Sequence, residues 1–187
     1  MKSRELTRRD FLKKSTGLLA AVAFPAILPA RADAALGERR LSLYNIHTGE
    51  RLTATYWAEG RYIDEEIEAL DRLLRDYRTG AVHPIDRRLF DLLHTLQSAV
   101  GRSGEAYHVI SGYRSPKTNN MLRKHSHGVA KHSLHMQGRA IDINLPGVEL
   151  KNLRHAALAL HRGGVGYYPV SGFVHVDTGR VRHWSGR

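Results

Sequence analysis

The sequence predicts an α+β domain, and three observations carry that reading. Short alternating apolar runs lie towards both ends, two amphipathic helical stripes lie between them, and no internal repeat or low-complexity linker divides the chain. A small antiparallel sheet with flanking helices is the expected architecture. The 187 residues, 42% of them hydrophobic, suffice for one sizeable core.

The elements follow in order. Runs over 41–46 and 51–57 alternate in β fashion around His47-Thr48-Gly49-Glu50, which predicts an opening hairpin. Ile67, Leu70, Leu73, Leu74 and Tyr77 recur at three- and four-residue steps, so a helix is expected over 64–77, stopped by Gly80. A second helix follows Pro84, with Asp86 as N-cap, Leu89, Leu92, Leu93, Leu96 and Val100 as its buried stripe, and Gly101 at its end. A short strand at 107–110 leads through Ser111-Gly112-Tyr113-Arg114-Ser115-Pro116 into a short helix at 117–124. The stretch 125–138, rich in His, Ser and Gly, reads as a long loop of the kind that usually carries function. A strand at 140–145, a helix at 149–160 and strands at 165–168 and 172–177 complete the pattern.

The first 34 residues read differently from the rest. Arg8-Arg9 precedes Phe11-Leu12, an apolar stretch runs over 17–28, and Ala32-Asp33-Ala34 offers a small-x-small cleavage pattern, together the pattern of a twin-arginine signal peptide. The apolar stretch is short and bounded by Pro25 and Pro29, which disfavours a permanent membrane span. The expected organisation is therefore a leader over 1–34 and one mature domain over 35–187, delivered to the periplasm and touching the membrane only in transit. Twin-arginine export suits passengers that take up a metal before crossing.

The formal charge of +11 indicates a polyanionic partner. The leader holds seven Lys and Arg against three Asp and Glu, a surplus of four, so the mature domain retains +7. With no cysteine, disulfides, zinc ribbons, iron–sulfur clusters and thiol nucleophiles are excluded, and any transition metal must sit on His, Asp or Glu. Twelve histidines are available; His47, His83, His94, His108, His155 and His161 read as solvated or helix-face residues.

Asp142 lies in an apolar strand, where a carboxylate is costly unless it is paired or binds a cation. The two-residue period gives it a common face with Ala140 and Asn144, and puts Phe173, His175 and Asp177 on one face of the later strand. His135, Asp142 and His175 compose a two-His-one-carboxylate set that suits zinc with a position left open for water, the alternative being a hydrogen-bonded structural Asp and His.

Ser133-x-His135-x-x-Gly138-x-Ala140-x-Asp142, with His175 on a later strand and Ser111-Gly112-Tyr113-Arg114-Ser115 upstream, resembles the signature of zinc peptidases that unite D-Ala-D-Ala carboxypeptidases, lysostaphin-type enzymes and the hedgehog fold. The runs at 43–50, 163–169 and 182–184 extend the likeness, from about Leu41 to Trp184, towards murein endopeptidase K-like enzymes. The resemblance implies one Zn²⁺ per chain on His135, Asp142 and His175, and Arg114 as the holder of a substrate carboxylate, for which its planar fork is suited. It implies hydrolysis of peptide cross-links in peptidoglycan, the diaminopimelate–diaminopimelate bond included, by activated water and without a covalent intermediate. Gram-negative stem peptides carry free carboxylates, which matches a basic, monomeric enzyme.

In one respect the chain departs from that family. Where many relatives place a proton acceptor two or three residues ahead of the last ligand, Phe173 and Gly172 stand here. Asp177 is then the candidate base, with His183 and His132 as alternatives, and Asp177 reads equally well as a residue bonding His175 or Arg114. Ser133 is expected to orient the His135 loop by hydrogen bonding rather than to react. Two other classes compete with the enzyme: a non-catalytic zinc-bearing module that binds peptidoglycan, and a basic nucleic-acid binder, which lacks any recognition motif and conflicts with export.

Overall fold

The computed structural model describes residues 37–125 and 128–186. The twin-arginine leader, its cleavage pattern and the boundary at residue 35 lie outside them. Eight strands form one sheet: β1 (Arg39–Asn45), β2 (Arg51–Ala58), β3 (Arg61–Tyr62), β4 (Ala106–Ser111), β5 (Ala140–Asn144), β6 (Gly164–Tyr168), β7 (Phe173–Asp177) and β8 (Arg182–Ser185). Among the described residues four α-helices accompany them: α1 (Asp64–Leu73), α2 (Arg87–Ala99), α3 (Pro116–His125) and α4 (Leu150–Ala159). The α+β class and the flanking helices agree with the sequence reading.

The sheet order is β3-β2-β1-β4-β5-β7-β6-β8. The sheet is larger than expected and not wholly antiparallel, since β1 pairs with β4 and β6 with β8 in parallel. The reason is connectivity: the path from β1 to β4 runs through β2, β3, α1 and α2, and that from β6 to β8 runs through β7, so each chain returns in its starting direction. The short edge strands β3 and β8 carry no sequence run long enough to announce them.

One contiguous core joins alternate strand residues, among them Leu41, Leu43, Ile141, Ile143, Val174 and Val176, to the apolar stripes of α1, α2 and α4. Asp86 caps α2 as expected, accepting from the Arg88 backbone N–H at 3.1 Å. At the far end of the sheet, Asp91 of α2 accepts from Arg39 at 2.6 Å, from Tyr62 at 2.6 Å and from Tyr56 at 3.2 Å, tying β1 to β3 onto the helix.

Helix α1 ends four residues before the expected Tyr77. The chain instead turns around Asp76, whose backbone carbonyl accepts from Gly80 N–H at 2.7 Å and whose carboxylate accepts from Arg78 N–H at 3.0 Å and Ser115 N–H at 2.8 Å. Tyr77 satisfies its apolar character by stacking on His47, ring centroids 3.8 Å apart. This turn clamps the segment that carries Arg114. Among the described residues no helix is long and apolar enough to cross a membrane.

Candidate metal centre and cleft

Two neighbouring rows of side chains run across the middle of the sheet. In the first, Ser111 of β4 lies opposite Asp142 of β5, Asp142 opposite His175 of β7, His175 opposite Gly166 of β6, and Gly166 opposite Trp184 of β8. A bulge between Val109 and Ser111 sets the first of these pairs. In the second row Ala140 lies opposite Asp177, and Gly164 opposite Arg182. The glycines make room: a Cβ on Gly166 would stand 2.7 Å from the Trp184 ring, and one on Gly164 would stand 2.5 Å from Asp177 Oδ2. Arg182 and Trp184 thereby reach inward over β6 to Asp177 and His175.

His135 comes from the loop side. A short 3₁₀ turn, Leu134–Gln137, ends at Gly138 with φ of 63°, and a Cβ there would collide with the Pro84 carbonyl, so the turn needs glycine. His135 Nδ1–H donates to the Gly112 carbonyl at 2.7 Å, and this bond, rather than the Ser133 hydroxyl, orients the ring. Ser133 Oγ makes no hydrogen bond among the described residues, which corrects the role expected for it.

Three ligand-type atoms converge. His135 Nε2 lies 3.2 Å from His175 Nδ1 and 3.3 Å from Asp142 Oδ1, and the latter two are 2.8 Å apart. Four tetrahedral ligands about 2.05 Å from one ion stand roughly 3.3 Å from each other, so two edges of this triangle already match and the third is short. Each residue is also held by its other polar atom. His135 uses Nδ1 on Gly112, His175 donates Nε2–H to Asp177 Oδ2 at 3.1 Å, and Asp142 Oδ2 accepts from Arg114 Nη2. His135 thus turns a lone pair towards the shared point, while His175 Nδ1 faces the Asp142 carboxylate and would present its lone pair there on giving up a proton, as a neutral metal ligand must. The residue types and tautomers fit a divalent ion.

The electrostatics are balanced. Burial alone would raise the Asp142 carboxyl, but His135, His175 and Arg114 hold it well below the usual carboxylate range. Burial lowers His135. Burial also opposes charge on His175, but its bonds to Asp142 and Asp177 outweigh this and raise it, so that proton and metal compete for one site.

A cleft of about 570 Å³ opens over the cluster. Arg114, His132, Ser133, His135, Asp142 and His175 line it, and Tyr168, Phe173 and Trp184 form an aromatic wall. Tyr168 stacks on Phe173 at 4.5 Å and accepts from Trp184 Nε1–H at 2.8 Å. Arg114 donates Nε–H to Ser111 Oγ at 2.8 Å, and its Nη1 has no partner among the described residues.

The expected proton acceptors fall in three different places. Asp177 is fully buried beneath the cleft and accepts five bonds: from His175, from Gly164 N–H at 2.9 Å, from Gly179 N–H at 2.8 Å, and from Arg182 at 3.1 and 2.6 Å. Burial would raise its carboxyl, but these bonds depress it far below the ordinary range. His183 is exposed on the strand face opposite Arg182 and Trp184, because alternation along β8 turns it away from the cleft. His132 lines the cleft, with no hydrogen bond among the described residues. Asp76 escaped the sequence reading, and Gly112, Arg182 and Trp184 entered it only as members of family-like runs, with no role assigned. The alternation Arg182-His183-Trp184 was the available signal for the last two.

The sequence model of a family described as "Peptidoglycan L,D-endopeptidase MepK", within the M15 peptidases, matches residues 33–184. A peptidoglycan L,D-endopeptidase MepK of Escherichia coli K12 is 49% identical over 162 residues, covering 85% of this chain and 88% of that protein. A probable peptidoglycan L,D-endopeptidase MepK of Haemophilus influenzae is 45% identical over 148 residues, covering 79% and 80%.

Proposed function

Because the chain belongs to the peptidoglycan L,D-endopeptidase MepK family, we propose that its cluster of His135, Asp142 and His175 holds the zinc ion of an enzyme acting on diaminopimelate–diaminopimelate cross-links. The protein is a murein endopeptidase that hydrolyses peptide cross-links of peptidoglycan, outside the cytoplasm. The observation that supports the metal reading is the convergence of His135 Nε2, Asp142 Oδ1 and His175 Nδ1, each residue fixed by a second bond. Zinc bound there supplies Lewis-acid polarisation of the scissile carbonyl and acidifies the attacking water.

The chain's own residues perform the rest. Gly112 and Asp177 fix the imidazole tautomers, and Arg182 and the two glycine amides keep Asp177 ionised and still, so Asp177 is a positioning residue rather than the base. His132 is the acceptor for the water proton, since it alone of the three candidates lines the cleft. Arg114 spends Nε and Nη2 on Ser111 and Asp142, and offers Nη1 to a stem-peptide carboxylate. The aromatic wall excludes water from one flank. Export by the twin-arginine route to the periplasm, after metal uptake, completes the reading.

Digestion of defined muropeptide dimers, with and without chelator and read by mass spectrometry, tests it. Monomers should appear from diaminopimelate–diaminopimelate dimers, vanish with chelator and return with zinc. No release from a zinc-loaded protein would leave the non-catalytic binding module standing.

A further inference from the structure

Between Glu105 and Asp142 the chain holds no acidic residue, yet it holds Arg114, Lys117, Arg123, Lys124, Lys131 and Arg139. The segment builds one wall of the cleft: Leu122 of α3 and Gly128, Val129, Ala130 and His132 after it face the cavity. Lys117, Arg123, Lys124 and Lys131 of the same wall are exposed, and none makes an ion pair or hydrogen bond among the described residues. Cations on the rest of the molecule commonly have partners, as Arg75 does with Glu50, Arg87 with Asp64, Arg88 with Asp86 and Lys151 with Glu149.

Helix stability explains only part of this. Arg123 and Lys124 in the last turn of α3 favour its dipole, but Lys117 in the first turn opposes it, and no acid there offsets the cost. Lys117 and Lys124, seven residues apart, share an exposed stripe with Asn120 and Met121. Asn119, wholly buried, donates Nδ2–H to the Ala130 carbonyl at 3.2 Å, which ties the helix to the loop that lines the cleft, while the Lys117–Lys124 stripe lies on the outer face of the helix.

We propose that Lys117, Arg123, Lys124 and Lys131 form a cationic lip on the outer side of the cleft wall that binds the free carboxylates of peptidoglycan stem peptides neighbouring the cross-link. The lip rests on the peptidoglycan reading given above and adds to it the surface by which an insoluble polymer is captured. A lipid surface fits less well: the exposed apolar residue on the stripe is Met121, with no aromatic anchor beside it.

The test measures co-sedimentation of the purified protein with intact sacculi on ice, across a salt series from about 0.05 to 0.5 M. Retention of the wild type should fall steeply with salt. The combined Arg123→Glu, Lys124→Glu, Lys131→Glu protein should bind about tenfold more weakly, with the kinetic loss on sacculi appearing in KM. The matching Lys124→Arg, Lys131→Arg protein should bind as the wild type does. Sacculi whose carboxylates have been amidated should lose the wild type by a similar factor, a measurement that needs no variant to fold. Salt-insensitive retention, undiminished binding to amidated sacculi, or tighter binding to phosphatidylglycerol vesicles than to sacculi would overturn the proposal. Retention and release of muropeptides are separate readouts, so failed hydrolysis with intact salt-sensitive retention counts against the proposed function alone.

Discussion

Replacing Asp177 by Asn changes little in shape and much in bonding. Five donors converge on the carboxylate: three at Oδ1 (Gly164 N–H, Gly179 N–H, Arg182 Nη1) and two at Oδ2 (His175 Nε2, Arg182 Nη2). An amide has one accepting oxygen. Kept at Oδ1, it faces its NH₂ against His175 and Arg182; flipped, it faces the two backbone amides and Arg182. The backbone donors cannot move, so the first arrangement is the lesser cost. It deprives His175 of its acceptor and favours the tautomer protonated on Nδ1, the atom that must carry a lone pair. Lost support of this kind costs 10–100-fold in metal affinity, about 1.4–2.7 kcal/mol, and Arg182, which keeps its Nη1 bond, loses its Nη2 bond and is about a third exposed, adds about 1 kcal/mol of destabilisation. Competition with a fluorescent zinc chelator gives the first quantity and a thermal melt of the metal-free protein the second. An Asp177→Asn protein that binds zinc as the wild type does and melts at the same temperature, while kcat falls a thousandfold, would refute the reasoning and make Asp177 the base.

Two further outcomes are expected. His132→Gln should lower kcat by 10²–10⁴-fold with zinc affinity retained; wild-type turnover would remove His132 from the mechanism. Asp76→Ala should orphan the amides of Ser115 and Arg78, costing about 3 kcal/mol and lowering the melting midpoint by roughly 9 °C. Burial would raise the Asp76 carboxyl, but the bonds from Ser115 and the Arg78 amide hold it at about 2 against an ordinary 3.8. Its contribution is therefore complete above about pH 4 and is lost as pH falls towards 2. Acid titration of the wild type and Asp76→Ala should show their difference shrinking in that window, and a constant difference would count against the clamp.

The sequence showed most clearly those parts of the fold that repeat a period. Asp86 and the stripe of α2 announced that helix, and alternation in 140–144 and 173–177 gave Asp142 a common face with Ala140 and Asn144, and His175 one with Phe173 and Asp177, before any strand order was known. Tyr77 misled because apolar spacing does not distinguish a buried helical face from a ring stacked on His47. The site was less legible where support comes from far away along the chain. Gly112 reaches His135 through a backbone carbonyl that no side-chain pattern encodes. Arg182 and Trp184 depend on a parallel pairing of β8 with β6, over glycines whose smallness has a reason only once the neighbour is known. His183 drew attention as a histidine, yet strand alternation turns it away.

The four-residue edge strand β8 has a thermodynamic consequence. Among the described residues it is paired on one side only, by β6, so it can peel away at a small fraction of the global unfolding free energy. Each such opening takes Arg182 from Asp177 and Trp184 from beside His175, leaving the core of Leu41, Ile141 and Val176 intact. Inactivation on warming should therefore precede the cooperative melt. In a folded but frayed population the enzyme would retain its shape and lose the support of the proposed metal site, which makes affinity for added zinc a more sensitive gauge of the sheet's edge than any measure of its centre.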